Sequence, residues 1–452
     1  MKRKLILILA SILILLSLSM LCACGGGNNN GVDNDSLSDI VFTNKEIIYD
    51  GEYHTIEALN IPEYATYAYS TDKGFKDVGT YECSFYANLD GEEINLKATL
   101  TIKKATLKVF AQEKIIYKGQ PANFGYSLSG FKGKDTISII DVLPTLKAVN
   151  YENVGKYNDV ISFEGASDNN YEFAYISADF IIEDVAKPQV FNDYVLFGKY
   201  PQTLVSDSEL LLELENKVSN GEIAEDVDSG WYNYKGVSYS GVVAKTHPMM
   251  ESYNKFINGS DIVNEKLYFF KVEPIKWNIL QKNNGSYLLT TNFLIDNLKF
   301  NEKNLNETVD GETILANSWS HSDLRNWLNN DFTLMAFGNS SYVEQYSHLV
   351  NNKTVSDKVS VLSLEDVNNS SFGFTDLTSR KALFTDYSRA KEAFIPLDGN
   401  GYYWLSDIGG RIQSNDARVK VVKSDGSSGE DCYFMINSNC GLRPCIKIST
   451  NV

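Results

Sequence analysis

Residues 98–111 read ATLTIKKATLKVFA, in which apolar and polar side chains alternate on both sides of a lysine pair. Leu100 and Ile102 precede the lysines, and Leu107 and Val109 follow them. A period of two is typical of strands that bury one face. Because almost no linker separates the two runs, the stretch predicts two β-rich units that meet at the lysine pair.

An internal repeat surrounds this stretch. IIYDG at Ile47–Gly51 is echoed by IIYKG at Ile115–Gly119, and DVGTY at Asp77–Tyr81 is echoed by NVGKY at Asn153–Tyr157. The same order in both copies indicates tandem units. Turn signals divide each copy into short runs, as in a small β-sandwich with strands every ~8–12 residues.

Both units resemble the MBG or YDG-type repeats, which are immunoglobulin-like modules of large bacterial adhesins. The matching segments are Tyr49–Gly51, Val78–Tyr81, Tyr117–Gly119 with Pro121, Ser129–Phe131, Val154–Tyr157 and Asn170–Tyr171. The resemblance implies immunoglobulin-like sandwiches at 40–104 and 105–185 that act as spacers or adhesive repeats. Lys118 replaces the Asp of the first copy, which argues against a functional role for that acid.

The N-terminus has the pattern of an export signal. Three basic residues precede the apolar run Leu5–Met20, and polar, glycine-rich sequence follows soon afterwards. This order is typical of a secretory signal rather than of a spanning helix. The residues after position 24 are too polar to fold, so we expect a flexible tether at 24–39 with a reach of roughly 20 Å.

LCAC at Leu21–Cys24 is similar to the lipobox of bacterial lipoproteins. That resemblance implies a signal peptide at 1–23, diacylglycerol on Cys24, and attachment to the extracellular face of the cytoplasmic membrane. An ordinary signal peptide without lipid is the alternative.

Charge and cysteine content narrow the classes of function. The chain carries 41 Lys and Arg against 58 Asp and Glu, a net charge of −17, so we expect no nucleic-acid partner. Few cysteines follow Cys24, which excludes a disulfide-dense scaffold. Cys432 and Cys440 flank a short turn, where a local disulfide and a pair of buried thiols are both open.

The composition changes after a linker at 186–191. All five tryptophans lie beyond it, and strand and helix patterns mix without regular alternation, which predicts an α+β domain at 192–452. Ser320–Phe337 has the spacing of an amphipathic helix, with Ser322 as its N-cap. Ser363–Asp366 has a capping-box pattern.

The C-terminal part resembles an uncharacterised domain of Firmicute surface and repeat proteins. The matching segments are Val195–Gln202, Pro274–Trp277, Ser322–Asn329, Tyr402–Ser406 and Gly441–Pro444. That family has no established activity. GNGYYWLSD at Gly399–Asp407 and the later GLRP also resemble signatures of the formylglycine-generating-enzyme branch of C-type-lectin-like domains, which implies that fold. Neither that branch's catalytic cysteine motif nor the lectin calcium motifs are recognised in the sequence.

The sequence points to no catalytic residue, metal site or cofactor. The four histidines are scattered, and we found no nucleophile elbow, phosphate loop or dinucleotide fingerprint. Asp226 to Gly230 resembles the start of a calcium loop but lacks the later acidic ligand, so a solvated acidic turn is expected.

Five residues are candidates for ligand binding in the C-terminal domain: Tyr403, Trp404, Asp407, Arg443 and Arg325. Alternation along 402–407 predicts one buried face and one face that borders a groove. Asp407 is the expected ion partner of Arg443, because a buried Arg needs a carboxylate. Structural salt bridges are the competing interpretation for both arginines.

The sequence therefore predicts a multidomain surface lipoprotein, in which two immunoglobulin-like sandwiches form a stalk for an α+β, C-type-lectin-like domain. We expect that domain to bind a cell-wall or host glycan or a surface protein without catalysis. A wall- or glycan-modifying enzyme and a structural envelope spacer are the alternatives. A pocket of carboxylates or histidine favours the enzyme, and one of aromatic rings and amides favours binding.

Overall fold

A computed structural model of the chain describes residues 36–250, 252–303, 306–309, 312–351, 353–409, 417–434 and 440–450. The predicted signal peptide and Cys24 lie outside these residues. No helix in the described part is both long and apolar enough to cross a membrane. The protein is mostly β, with 44% strand and 13% helix, and contains several sheets.

The chain forms two compact units. Among the described residues, one comprises 36–47, 53–75 and 79–101, and the other comprises 48–52, 76–78 and 102 onwards. The first unit has one four-stranded sheet in the order β1-β4-β3-β2. Its strands are β1 Lys45–Ile48, β2 Thr66–Tyr69, β3 Gly79–Leu89 and β4 Glu92–Lys103. Asp90 and Gly91 both have positive φ, as in the tight turns that join antiparallel strands.

The predicted tether at 24–39 is folded at its C-terminal end. Leu37–Asp39 forms a 3-10 helix, and Ser36 caps it by accepting from the Ser38 N–H. The side chain of Leu37 is buried, which anchors this turn in spite of its polar neighbours.

The region 105–183 within the second unit packs two three-stranded sheets around a small core. Its strands are β5 Ala105–Ala111, β6 Lys114–Tyr117, β7 Tyr126–Ser129, β8 Thr145–Leu146, β9 Gly155–Ile161, β10 Phe163–Glu164, β11 Tyr171–Ile176 and β12 Ala178–Glu183. The sheet orders are β11-β5-β7 and β6-β12-β9, and β10 pairs with β8. The contacts of β5 with β11 and of β6 with β12 are parallel.

The alternation that opens the sequence analysis is confirmed. Leu100, Ile102, Leu107 and Val109 are all buried, and Val109 belongs to the core that also contains Phe180. The period of two therefore predicted the buried face of β4 and β5 correctly.

The rest of the second unit has a large core between a nine-stranded and a five-stranded sheet. Its strands are β13 Gln189–Val190, β14 Tyr194–Leu204, β15 Tyr232–Tyr234, β16 Val237–Val243, β17 Leu267–Asn283, β18 Ser286–Thr291, β19 Asp296–Asn297, β20 Glu307–Val309, β21 Glu312–Ile314, β22 Val343–Glu344, β23 Tyr346–Val350, β24 Lys353–Asp357, β25 Val359–Val361, β26 Tyr403–Ile408, β27 Arg418–Val422, β28 Ser428–Phe434, β29 Gly441–Leu442 and β30 Pro444–Ser449.

The nine-stranded sheet has the main order β13-β14-β17-β18-β30-β22, with β15 and β16 joined to it through β17 and β25 through β30. The five-stranded sheet has the order β19-β29-β26-β27-β28. β20 pairs with β21, and β23 pairs with β24. Residues 186–191, predicted as a linker, include β13, and the Ser340 hydroxyl donates to the buried Ala186 carbonyl.

Short helices connect these strands. They are α1 Ser208–Ser219, α2 Asp323–Trp327, α3 Thr333–Phe337, α4 Leu364–Val367, α5 Leu377–Arg380 and α6 Asp386–Arg389, with 3-10 turns at Ile137–Ile139, Trp319–His321 and Ser370–Phe372. The capping box predicted at Ser363 is confirmed at the start of α4.

The helix predicted within Ser320–Phe337 is confirmed, with one irregularity. Ser322 caps α2 by accepting from the Arg325 N–H at 3.0 Å. A π-helical turn at Leu328–Phe332 joins α2 to α3. The Thr333 hydroxyl donates to the Leu328 carbonyl five residues earlier, which stabilises the wider turn. Leu328 and Phe332 are fully buried, so the amphipathic spacing identified the face that packs on the core.

The aromatic stretch at 402–406 enters the centre of the five-stranded sheet. Tyr403 to Ser406 are all buried, and the Trp404 indole donates to the Leu298 carbonyl at 2.8 Å. A Cβ on Gly401 would lie 2.2 Å from the Phe384 ring, so only glycine fits there. Both faces of this strand are core, and the predicted groove-facing side does not exist.

Candidate ligand-binding site

The structure corrects the roles predicted for Tyr403, Trp404 and Arg443. All three are buried and therefore unavailable to a ligand. The Arg443 guanidinium donates to the Thr291 and Arg380 carbonyls and to the Tyr403 hydroxyl, each at 3.1 Å. Backbone carbonyls and an aromatic hydroxyl thus take the place of the carboxylate that the sequence led us to expect.

The predicted ion pair between Asp407 and Arg443 is also wrong. Asp407 is half-buried and accepts from the Leu364 N–H at 2.6 Å at the start of α4. Burial raises the pKa of its carboxyl above the ordinary value. The register of β26 against β27 shifts between Trp404 and Ile408, and this irregularity breaks the simple alternation on which the prediction rested.

Arg325 lies beside a buried carboxylate. Asp357 is 1% exposed and accepts from the Trp319 indole at 2.9 Å, from Arg325 Nε at 2.6 Å and from His348 Nε2 at 2.9 Å. Burial alone would raise the pKa of Asp357, but the bonds from His348 and Trp319 and the charge of Arg325 lower it. Arg325 is therefore a partner of an internal carboxylate, as the salt-bridge interpretation held.

Arg325 also lines an open cavity of about 530 Å³, which we call the polar groove. Its wall carries Ser320, His321, Asn326, Asn329, Asn330 and Gln345 among other polar residues. Several of these groups already have partners. Asn329 accepts from the Lys358 N–H and donates to the Val359 carbonyl, and Asn330 donates to Asn326. Many polar groups of the polar groove are therefore already used in hydrogen bonds that stabilise the surrounding loops.

A second cavity, of about 240 Å³, gathers aromatic rings around one charged pair. We call it the aromatic pocket and define it by Tyr200, Trp231, Asp296, Trp327, Tyr387 and Lys391. These residues come from distant parts of the sequence: β14, the segment before β15, β19, α2, α6 and the residues just after α6. The convergence of so many elements on one concavity is typical of ligand sites.

Asp296 forms the polar centre of the aromatic pocket. It is 1% exposed and accepts from the Tyr200 hydroxyl at 2.6 Å and from Lys391 Nζ at 2.5 Å. Lys391 Nζ also lies 3.4 Å from the Tyr387 hydroxyl and 4.9 Å from the centre of that ring. The buried charges are thus paired, as low-dielectric surroundings require.

This arrangement fixes the charge state of the pocket. Burial and the neighbouring Asp296 carboxylate raise the pKa of Tyr200 well above its usual value, so the phenol stays neutral. Burial alone would lower the pKa of Lys391, but Asp296 and Tyr387 outweigh that effect and raise it. The pocket therefore presents a permanent ammonium group and neutral phenols at physiological pH.

Two of the five tryptophans have spare donors. The indoles of Trp277, Trp319 and Trp404, in the core, each donate one hydrogen bond. Within the described residues, the indoles of Trp231 and Trp327 donate to no other residue, and both line the aromatic pocket. Their N–H groups and the remaining donor of Lys391 are available to a bound molecule.

Sequence reasoning did not find the aromatic pocket. Tyr200 and Trp327 lie in segments that carried the family resemblance, and this was the only signal for them. Asp296, Tyr387 and Lys391 stand in no local motif, since the fold alone brings them together.

In the acidic turn at Asp226 to Gly230, Val227, Asp228 and Gly230 are exposed, as expected of a solvated turn, but Asp226 is buried. Asp226 and Asp228 both contact the ammonium group of Lys114, whose side chain is 2% exposed. A distant lysine supplies the counter-charge for the buried Asp226, and no local pattern indicates such a partner.

The described cysteines are thiols. Cys440 and Cys445 are both buried and unbonded. Burial raises the pKa of Cys440 well above its usual value and that of Cys445 to about 12. The free thiol of Cys440 argues against the predicted disulfide with Cys432, whose side chain lies outside the described residues. Among the described residues, no group of three or more His, Cys, Asp or Glu is arranged to hold a metal ion.

Two family models match parts of the chain. Residues 105–181 match the MBG domain (YGX type), and residues 284–450 match a domain of unknown function, DUF6273. The first match covers the second predicted repeat, and the second covers most of the C-terminal domain, including Asp296, Trp327 and Lys391. No curated protein matches the chain.

Solved structures are only distantly similar. The extracellular cadherin domains 1–5 of Protocadherin Gamma B2 align at 9% identity and a TM-score of 0.15, over 55% of this chain and 54% of the other. The Protocadherin GammaB4 extracellular domain aligns at 13% identity and a TM-score of 0.15, over 55% and 44%. The chain thus spans about half the length of these proteins, and TM-scores this low support no conclusion about fold or function.

Proposed function

We propose that this protein is a non-catalytic, lipid-anchored protein of the cell surface whose C-terminal domain binds a glycan in the aromatic pocket. Cys24 carries the diacylglycerol, and the two β-rich modules form the stalk. The export signal and lipobox at the N-terminus support the location, and the MBG match at 105–181 supports the stalk.

The single observation that carries the proposal is the set of rings and unused donors around Asp296 and Lys391. Sugar rings present apolar C–H faces that stack on aromatic side chains, and their hydroxyls need fixed donors and acceptors. Trp231 and Trp327 offer ring surface together with free indole N–H groups. A cavity of about 240 Å³ has room for one small ring, which fits the terminal unit of a glycan.

The same proposal includes the finer fold assignments. Two packed sheets at 105–183 support an immunoglobulin-like sandwich, and the repeat supports a related module at 40–104. The C-type-lectin-like assignment for the C-terminal domain rests on the GNGYYWLSD and GLRP segments, which meet in the five-stranded sheet through β26 and β29.

The test is a glycan and cell-wall fragment array probed with the whole chain and two variants. Trp327→Ala removes one wall of the aromatic pocket, whereas Asn326→Ala changes the adjacent residue on the polar groove. We expect Trp327→Ala to lose at least ten-fold in affinity and Asn326→Ala to keep it. The unfolding midpoint of each variant, followed by fluorescence of the remaining tryptophans, checks that the fold persists.

Other outcomes would overturn the proposal in distinct ways. Loss of binding in Asn326→Ala but not in Trp327→Ala would move the site to the polar groove. Turnover of a wall polymer by the wild-type chain would make the protein an enzyme. If the chain binds no glycan on the array but binds a surface protein, the proposed glycan specificity is wrong.

A further inference from the structure

Lys114 is one of the most completely buried side chains of the described structure, although it carries an amine. It begins β6 and is 2% exposed, and its Nζ lies 2.7 Å from Asp226 Oδ2 and 2.5 Å from Asp228 Oδ2. Lys114 also lines a cavity whose wall includes the apolar residues Ile116, Val227 and Trp231. One amine, itself almost fully shielded from solvent, is therefore held between two carboxylates.

The two carboxylates are held differently. Asp226 is 8% exposed, and its Oδ1 accepts from the Asp228 N–H at 3.1 Å, the Ser229 N–H at 2.9 Å and the Ser229 hydroxyl at 3.0 Å. Three donors on one oxygen form the kind of cradle that stabilises an oxyanion. The other oxygen, Oδ2, faces the amine and has no such cradle.

Asp228 has the position of a proton carrier. Its Oδ1 accepts from Asn123 Nδ2 at 2.7 Å, and its Oδ2 accepts from the Asn123 N–H at 3.0 Å as well as from Lys114. Burial alone would raise the pKa of Asp228, but the bonds from Asn123 and Lys114 lower it, so the carboxylate is ionised. Its Oδ2 accepts directly from the Lys114 ammonium, which is the contact that a proton carrier needs. Its side chain is 35% exposed, at the edge of a cavity of about 300 Å³ into which water can leave.

We propose that Lys114 and Asp226 condense to an isopeptide bond, with Asp228 as the proton carrier. Asp228 takes one proton from the Lys114 ammonium and passes it to Oδ2 of Asp226, and the neutral Nζ attacks Cγ of the resulting carboxylic acid. The oxyanion that forms on Oδ1 accepts hydrogen bonds from the Asp228 N–H, the Ser229 N–H and the Ser229 hydroxyl. Asp228 then carries a second proton from Nζ to the same Oδ2, the oxyanion collapses to a carbonyl as the Cγ–Oδ2 bond breaks, and one water leaves. One ammonium and one carboxylate become an amide and water, and Asp228 ends as the carboxylate it was.

The alternative is a permanent ion triad. Such a triad removes the Lys114 ammonium and the Asp226 carboxylate from water, and its attraction only partly offsets that desolvation. Amide formation abolishes one buried charge of each sign, and the product keeps a hydrogen-bonding partner for Asp228. The bond would join residues 112 positions apart and tie β6 covalently to the C-terminal domain.

Mass spectrometry of the purified whole chain, digested with a protease after denaturation, tests the proposal. We expect a branched peptide that contains both Lys114 and Asp226 and weighs one water less than the two separate peptides. The pair of Lys156 and Asp179 is an internal control, because its atoms also lie 2.8 Å apart but its lysine is half exposed. That pair is expected to yield only separate peptides.

Two variants distinguish isopeptide formation from a simple ion pair between Lys114 and Asp226. Asp228→Asn removes the proton carrier and is expected to lower the cross-linked fraction at least ten-fold. Asp226→Asn is expected to give the same branched peptide with loss of ammonia instead of water. Recovery of only the separate peptides from the wild-type chain would overturn the proposal, and this result requires no variant to fold. A cross-link to Asp228 in place of Asp226 would overturn the assigned roles.

Discussion

The guanidinium of Arg443 lies 3.1 Å from the hydroxyl of Tyr403, and both groups are buried in the C-terminal domain. The Tyr403 hydroxyl in turn donates to the Arg380 carbonyl at 2.8 Å. Arg443 therefore connects the segment just before β30 with β26, through the Tyr403 hydroxyl, and with the end of α5, through the Arg380 carbonyl. Its acceptors are carbonyl and hydroxyl groups instead of a carboxylate.

Replacement of Arg443 is expected to be costly for stability. Arg443→Met leaves the Thr291 and Arg380 carbonyls with fewer donors, and each buried polar group left unpaired costs about 1–3 kcal/mol. Tyr403→Phe is the milder control, with an expected loss of about 1 kcal/mol for one net hydrogen bond. Urea denaturation followed by tryptophan fluorescence measures both, since all five tryptophans lie beyond residue 191. Equal effects of the two variants would contradict this view of Arg443.

Asp357 is expected to make the domain acid-sensitive. Its pKa is lowered in the folded state, so its contribution to the free energy of unfolding is complete above the unfolded pKa of about 3.9 and is lost as pH falls through the folded value. Asp357→Asn should cost about 3 kcal/mol at neutral pH, as for one-sided removal of a buried charge. The variant should also show a flatter loss of stability below pH 4.

Asp425→Asn is the control for Asp357. Hydrogen bonds from Ser427 lower the pKa of Asp425 as well, but this residue lies on an exposed turn. Unfolding midpoints measured across the acid range should shift much less for this variant. A wild-type profile with the same slope as Asp357→Asn would show that Asp357 is not the group that titrates.

The buried thiols are expected to react slowly. Burial raises the pKa of Cys445 to about 12 and that of Cys440 well above its usual value, and the thiolate is the reactive form. Iodoacetamide at pH 8 should label these cysteines in urea but not in buffer, as mass spectrometry of the peptides would show. Unfolded thiols ionise near pH 8.5, so the free energy of unfolding should fall as pH rises from there toward 12. Rapid labelling of Cys445 in buffer would contradict its burial.

Gly338 and Tyr117 are expected to be energetically coupled. Gly338 has φ of +63°, and a Cβ there would lie 2.6 Å from the Tyr117 ring. Gly338→Ala should therefore destabilise the protein through backbone strain and through this collision. Tyr117→Ala removes the collision with the ring but keeps the Cβ at 2.9 Å, so the collision is reduced and the backbone strain is unchanged. A double-mutant cycle should therefore give a coupling of about 0.5–3 kcal/mol. Additive effects in urea denaturation would exclude the contact as a source of stability.

The sequence predicted those features that depend on neighbours along the chain. Alternation found the buried face of β4 and β5, and the spacing within Ser320–Phe337 found the helix and its Ser322 cap. Both patterns are local, because periodicity and capping need only a few consecutive residues.

The sequence failed where a side chain finds its partner across the fold. The sequence does not show that Asp226 is buried within an otherwise exposed turn, because its counter-charge, Lys114, lies more than one hundred positions earlier. We expected Arg443 to pair with an acidic side chain, but it donates to backbone carbonyls. Every residue has such a carbonyl, so no sequence motif identifies the acceptor. The sequence did not predict the aromatic pocket for the same reason, since Asp296 and Lys391 come together only in the folded chain.

The parallel pairing of β5 with β11 and of β6 with β12 determines how the β-rich module at 105–183 would bear a mechanical load. The chain enters this module at Ala105 and leaves it at Glu183, and each pair joins an early strand to a late one. Tension between those two points runs along the strands and loads many hydrogen bonds at once in shear, instead of opening them one after another. A protein tethered at one end and bound at the other would place its pulling force on this geometry, so this module should yield abruptly, and only at high force.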